Sequence, residues 1–267
     1  RANKWRENKT HIIIFFIFLV ANIGGSLTPL GDPPLFIGFL KGVDFFWTTQ
    51  HMFGPMIFVS LLLLILFYFI DNYYFNKEID NKPAEQDINF SIEGKVNFIL
   101  LLGVILSVIF SGLYQKHYVI DNFFGNSLPL SFILRDIGLL FLGILSYKVT
   151  SLSLRQENGF TWFPILEVAK LFAGIFITVI PAIAILSENK DIFASVSNNL
   201  YFWLTGMLSG FLDNAPTYLV FFNAAGANAS SLMDNVLTLL AISSGAVFMG
   251  ALTYIGNAPN FMVRAIA

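Results

Sequence analysis

Apolar stretches long enough to cross a lipid bilayer recur along the chain, at residues 11–47, 53–71, 96–113, 130–149, 163–186, 199–222 and 235–267. A helix needs about 20 apolar residues to span the hydrocarbon core. Lipid offers the backbone no hydrogen-bond partner, so a spanning segment must satisfy its own amides and carbonyls. These runs predict an all-α polytopic membrane protein. Composition removes the soluble alternative: 12% of the residues are charged, against about 25% in a typical soluble domain. The formal net charge of −2 provides no basic stripe for nucleic acid. The absence of cysteine excludes disulfides and thiolate metal sites. The basic start followed by His11–Val20 has the layout of a signal peptide, but this run continues through a polar motif that returns near the C-terminus.

That motif is an internal repeat. Gly25-Ser-Leu-Thr28-Pro-Leu-Gly31-Asp32-Pro33-Pro34-Leu-Phe36 stands near the start, and Gly250-Ala-Leu-Thr253-Tyr-Ile-Gly256-Asn257-Ala-Pro259-Asn-Phe261 near the end. At an offset of 225 residues the Gly, Leu, Thr, Gly, Pro and Phe positions coincide, and Asp32 faces Asn257. Proline removes an amide donor, so Gly31, Pro33 and Pro34 in one copy, and Gly256 and Pro259 in the other, are expected to break their helices. Backbone freed in this way survives at membrane depth only inside protein or beside an aqueous cavity. Thr28, Thr253, Asp32 and Asn257 add hydroxyl, carboxylate and amide oxygens, a set suited to a hard cation such as sodium.

A second polar island, Ser209-Gly-Phe-Leu-Asp213-Asn214-Ala-Pro216-Thr217, interrupts the run at 199–222. We read it as a re-entrant hairpin with its tip at Asp213. An intramembrane carboxylate costs roughly 2.5–3.5 kcal/mol on insertion scales, which makes a functional role the default. A helix cap is the plainer reading, given Pro216 just beyond, and one aspartate can serve both ends. Shifted back by 225 residues, the matching hairpin would fall before residue 1, so the chain is expected to be a fragment of a longer repeat pair.

Charge orients the map. With Arg1, Lys4, Arg6 and Lys9 cytoplasmic, residues 11–47 crossing once and 199–222 a hairpin, Lys77, Lys82, Lys95, Lys148, Arg155, Lys170 and Arg264 fall on the same side. Only Lys41, Lys116, Arg135 and Lys190 fall outside, the asymmetry of the positive-inside rule. The two motif copies then run in opposite senses, the inverted-repeat layout that builds sites at the bilayer midplane of secondary transporters. Residues 1–71 form the end of a first repeat, 72–95 a charged linker, and 96–267 a second repeat of three spans, the hairpin 199–222 and the discontinuous helix 235–267. The expected location is the inner, cytoplasmic membrane. Elsewhere Arg135 and Asp136 read as an interfacial pair, Glu167 and Lys170 as a helical one, and His11, His51 and His117 as structural.

At these residues the chain resembles the NhaD-type sodium/proton antiporters and the citrate-transporter-like proteins of the wider ion transporter superfamily. Ala21-Asn22-Ile-Gly24-Gly25 through Asp32 is similar to the family's discontinuous-helix motif, Phe211-Leu-Asp213-Asn214 to its hairpin tip, and Gly256-Asn257-Ala-Pro259 to its second discontinuous helix. The resemblance implies a scaffold paired with an elevator-like transport domain, a homodimer, and sodium, protons, a small carboxylate or an oxyanion as cargo. Asp213-Asn214 stands where carboxylate carriers usually show Ser-Asn-Thr, and Asp32-Pro33-Pro34 where many antiporters carry small hydroxyl residues.

The favoured expectation is sodium/proton antiport without a resident cofactor. Asp32 and Asp213 would exchange sodium for protons, a sodium ion would sit near Asp32, Asp213 and Asn257, and Asn22, Thr28, Asn214, Thr217, Thr253 and Asn257 would supply neutral oxygens. Sodium-coupled uptake of citrate or another dicarboxylate is the alternative. An intramembrane aspartyl protease is a remote one, because Pro29 stands where its Gly-x-Gly-Asp signature needs glycine. A purely structural membrane subunit leaves the repeat unexplained.

Overall fold

The computed structural model describes residues 6–78, 92–114, 118–123, 126–188, 196–260 and 263. Most of the expected linker (79–91), together with Lys116, His117, Lys190, Phe261 and Arg264, lies outside them. The chain divides into two compact units, one of Arg1–Glu85 with Pro164–Ala267, the other of Gln86–Phe163.

The first unit opens with α1 (Thr10–Phe16), which loosens into a π turn (Ile17–Asn22) and then a 3-10 turn (Ile23–Leu27). After an extended interruption α2 (Pro33–Leu40) begins, followed by α3 (Trp47–Glu78). At 1.5 Å per residue the 32 residues of α3 reach roughly 48 Å, beyond the ~30 Å hydrocarbon core. The helix continues past residue 71 to Glu78, so the charged stretch read as a linker begins as helix. Its polar end is pinned by the segment before α1: Arg6 Nη1 lies 2.6 Å from Asp71 Oδ1 and its Nε 3.4 Å from Glu78 Oε2. His11 Nε2 lies 2.8 Å from the same Asp71 oxygen, and its ring stacks on Tyr74.

The second unit holds α4 (Val96–Leu113), a two-stranded antiparallel ribbon of β1 (Val119–Phe123) and β2 (Asn126–Pro129), α5 (Leu130–Val149) and α6 (Leu152–Glu157). The boundaries of α4 and α5 are those expected from the apolar runs. The ribbon is not: the all-α expectation holds for the membrane segments, while the loop pairs Val119 with Pro129 and Ile120 with Leu128. β1 opens on the β-branched pair Val119-Ile120, residues that favour strand over helix. Arg135 and Asp136 pair as expected, Nε to Oδ1 at 2.8 Å.

The first unit resumes with α7 (Phe163–Glu188), α8 (Asn198–Leu212), α9 (Asn214–Ala224), α10 (Ala229–Asp234) and α11 (Val236–Met249), the last running into a 3-10 turn (Gly250–Leu252). Thr10–Leu27, Trp47–Glu78, Val96–Leu113, Leu130–Val149 and Phe163–Ile185 are each long and apolar enough to cross a membrane. The stretch at 199–222 is instead folded at Asp213 into two helices of 15 and 11 residues, roughly 22 and 16 Å long. Neither half spans the core alone, which is the geometry of a re-entrant hairpin.

α8 and α11 are in intimate contact. A Cβ on Gly245 would lie 2.6 Å from the Phe202 carbonyl, so only a small residue permits the crossing. The main core gathers Tyr218, Leu219, Phe222, Leu239 and Ile242 around the hairpin. A smaller cluster joins Leu35, Met52 and Val247.

Candidate functional site

The two motif copies adopt matching backbones. In each, a 3-10 turn ends at an extended threonine: Thr28 (φ −143°, ψ 154°) and Thr253 (φ −132°, ψ 164°). The threonine carbonyl then accepts from the glycine three residues on, at 2.9 Å from Gly31 N and 3.3 Å from Gly256 N. Helix resumes one residue after Asp32 and one after Asn257. Each loop closes glycine on glycine. A Cβ on Gly25 or on Gly256 would stand 2.5 Å from the carbonyl oxygen of Gly31 or Gly250, and one on Gly31 would enter the Gly25 carbonyl. The prolines restart the helices rather than stop them: Pro33 and Pro34 occupy the first two positions of α2, Pro216 the third of α9, and Pro259 lies in the turn after Asn257. There the amide that proline lacks would have had no helical acceptor anyway.

The hairpin tip is stapled to the second break. Asn214 N donates to the Gly256 carbonyl at 2.9 Å, and the Thr253 hydroxyl donates to the Gly210 carbonyl. Asp213 adopts φ 76°, ψ 140°, a region glycine populates freely and an L-residue holds at a cost of about 1–3 kcal/mol. Its Oδ1 accepts from Ala215 N at 3.0 Å, capping α9, and its carbonyl accepts from the Thr217 hydroxyl at 2.7 Å. The cap reading of Asp213 therefore holds, and it uses only one of the two carboxylate oxygens.

Asp32, Asn22, Asn214 and Asn257 come together in one buried polar network. Asn214 Nδ2 donates to both oxygens of Asp32 at 3.1 Å, and Asn257 Nδ2 donates to Asp32 Oδ1 at 2.9 Å. Asn257 Nδ2 also donates to Asn22 Oδ1 at 2.9 Å. The four asparagines Asn22, Asn214, Asn257 and Asn260 expose no surface, and Asp32 exposes 2% of its own. Asn260 was not singled out from the sequence. Its signal was available, however: it is a polar residue opposite Leu35 in the repeat alignment, at a position that is otherwise apolar. Thr28 is half-buried at the first break, and its carbonyl closes the turn. The Thr217 and Thr253 hydroxyls give their protons to backbone carbonyls and so brace the tip and the second break.

Two electrostatic features define what the site can do. Among the described residues no Lys, Arg or His pairs with Asp32 or Asp213. An ionised carboxylate buried without a compensating charge is expensive. The second feature is a set of bare oxygens. Asp213 Oδ2, Asn214 Oδ1 and Asn257 Oδ1 are buried and accept no hydrogen bond, in a setting where nearly all buried polar atoms are paired. Oxygen-only donors of this kind suit a hard cation. A cavity of about 470 Å³ reaches Asp32 between Pro29, Leu30, Phe36, Phe172 and Phe176. Among the described residues its only charged lining residue is Asp32.

A family model described as "Putative citrate transport" matches residues 1–267, the full sequence. No curated protein and no solved structure matches the chain.

Proposed function

The chain belongs to that citrate-transport family and is a secondary transporter of the membrane, and from this premise we propose that it exchanges sodium for protons at Asp32 and Asp213. The observation that carries the reading is the pair of buried carboxylates with no basic partner among the described residues, together with the bare Oδ1 atoms of Asn214 and Asn257. A site of this kind is neutralised when each carboxylate carries either a proton or a sodium ion. Because one occupant displaces the other, and the loaded and protonated forms both avoid a naked buried charge, alternation between the two faces exchanges the ions. Asp32 supplies the charge, while Asn214 and Asn257, their amide hydrogens turned onto Asp32, keep their carbonyl oxygens for the cation. Hairpin tip and breaks together build the floor of the site, as paired half-helices do in inverted-repeat carriers.

The family match supports a second reading, sodium-coupled uptake of citrate or a related carboxylate. Asp32 argues against seating that anion in the adjoining cavity, whose only charged lining residue among those described is itself acidic. Proteoliposomes discriminate between the two. Under antiport, a sodium pulse drives protons out of acid-loaded vesicles, and Asp32→Asn abolishes the response. Undiminished exchange in Asp32→Asn would sink the assignment. Citrate accumulation driven by an inward sodium gradient, without proton release, would establish the second reading instead.

A further inference from the structure

The repeat is close to symmetric in backbone but not in side chains, and the departure lies beside the site. The offset of 225 residues that carries Asp32 onto Asn257 also carries Asn22 onto Val247 (22 + 225) and Leu35 onto Asn260 (35 + 225). Val247 and Leu35 share the small apolar cluster with Met52, at 0% and 2% exposure. Their counterparts Asn22 and Asn260 meet through a hydrogen bond instead, Asn22 Nδ2 to Asn260 Oδ1 at 2.7 Å. One contact between the halves is therefore greasy, and its pseudo-symmetric twin is polar. Packing alone does not call for two amides there, since the fold already solves the same contact with Val and Leu.

The hydrogen-bond polarity shows what the amides add. Asn260 Nδ2 gives both its hydrogens to backbone carbonyls freed at the second break, Gly250 O and Thr253 O, each at 3.0 Å. Its Oδ1 must then face Asn22. Asn22 Nδ2 spends one hydrogen there and the other on the Ile17 carbonyl of the π turn at 2.8 Å. That turns Asn22 Oδ1 towards Asn257, whose Nδ2 donates to it and to Asp32 at 2.9 Å each. Every amide hydrogen in the chain 260–22–257 is consumed. Turning any one of these amides over would set nitrogen against nitrogen or oxygen against oxygen. The only atom left without a partner is Asn257 Oδ1, buried and bare.

We infer that Asn22 and Asn260 are positioning residues for the cation: anchored on the carbonyls of the second break, they fix the Asn257 amide so that it offers oxygen, not NH₂, to the ion. This rests on the sodium reading above. Neither residue touches the ion itself. They act as outer-sphere partners do at metal sites, where their loss typically lowers affinity about 10–100-fold.

The repeat supplies the test variant, Asn22→Val with Asn260→Leu, which copies the apolar pair the fold already tolerates. Sodium is titrated into the purified full chain in detergent against a potassium control, with the rise in Tm as readout. Sodium-driven flux is then measured on the same proteins in vesicles. The half-saturating sodium concentration is expected to rise by about tenfold or more. If the double variant does not fold, Asn22→Ala, which removes the acceptor facing Asn257 together with the donors to the Ile17 carbonyl and Asn260 Oδ1, carries the same expectation. Unchanged half-saturation with only a lower Tm or yield would overturn the proposal and leave the amides as packing. A wild type that responds to sodium in neither assay would remove the sodium reading, and this proposal with it; that outcome is told apart by the wild-type control alone.

Discussion

The two compact units solve the problem of polar groups in lipid in opposite ways. In the unit of Gln86–Phe163, α4 and α5 are unbroken, and Ile99, Leu101, Leu102, Ile137, Leu140 and Phe141 are mostly exposed. Its helices are tied by ordinary polar contacts: Asn97 Nδ2 donates to Thr150 Oγ1 at 2.9 Å, Ser146 Oγ donates to Asn97 Oδ1 at 2.8 Å, and Ser131 Oγ donates to the Ser111 carbonyl at 3.2 Å. In the other unit helices stop at membrane depth, Asp32 and Asp213 are buried without basic partners among the described residues, and Asp213 Oδ2, Asn214 Oδ1 and Asn257 Oδ1 have no donor. The first arrangement suits a helix pair that need only sit in lipid. The second is costly unless something binds, and that cost marks the functional site.

Substitutions can break this contrast or sharpen it. The largest effect is expected from Gly31→Ala. Its Cβ would enter the Gly25 carbonyl, and overpacking of this kind costs about 1–3 kcal/mol. Thermal unfolding in detergent should show the lower Tm, and transport should be lost with the break's geometry; normal transport would mean that the glycine contact is dispensable. Next comes Asp213→Asn, which can keep the cap on Ala215 N but takes away the second carboxylate's charge. Sodium affinity should fall by about tenfold or more with little change in Tm. Asp213→Ala loses the cap as well, and should cost about 1 kcal/mol more in stability than the asparagine variant; equal Tm values would remove the cap from the account. The smallest effect is expected from Asn97→Ala, where interhelical hydrogen bonds in membranes average only ~0.6 kcal/mol each. Tm should drop slightly and half-saturating sodium stay put. A shift in sodium affinity there would undo the division of labour between the units.

Much of this was legible in the sequence because lipid is a strict solvent. The apolar runs gave α4 and α5 to the residue, since nothing competes with helix formation in an uninterrupted span. The repeat located both breaks, because Gly31, Gly256 and the prolines mark a backbone that cannot continue as helix. What escaped detection was set by long-range pairing. The ribbon of β1 and β2 depends on how a loop returns. Asn260 lies 238 residues from Asn22, and no local pattern announces that meeting. Thr217 and Thr253 were read as oxygen donors from their places in the polar island and the repeat; the structure shows where their protons go, onto the carbonyls of Asp213 and Gly210.

The central claim is that one buried set of oxygens binds either sodium or protons. The most direct measurement is the half-saturating sodium concentration of the purified protein across a series of pH values. Ligands must be deprotonated to bind a cation, so competition predicts that half-saturation rises as pH falls, approaching about tenfold per pH unit for each proton displaced. A sodium constant that does not change with pH would contradict the account.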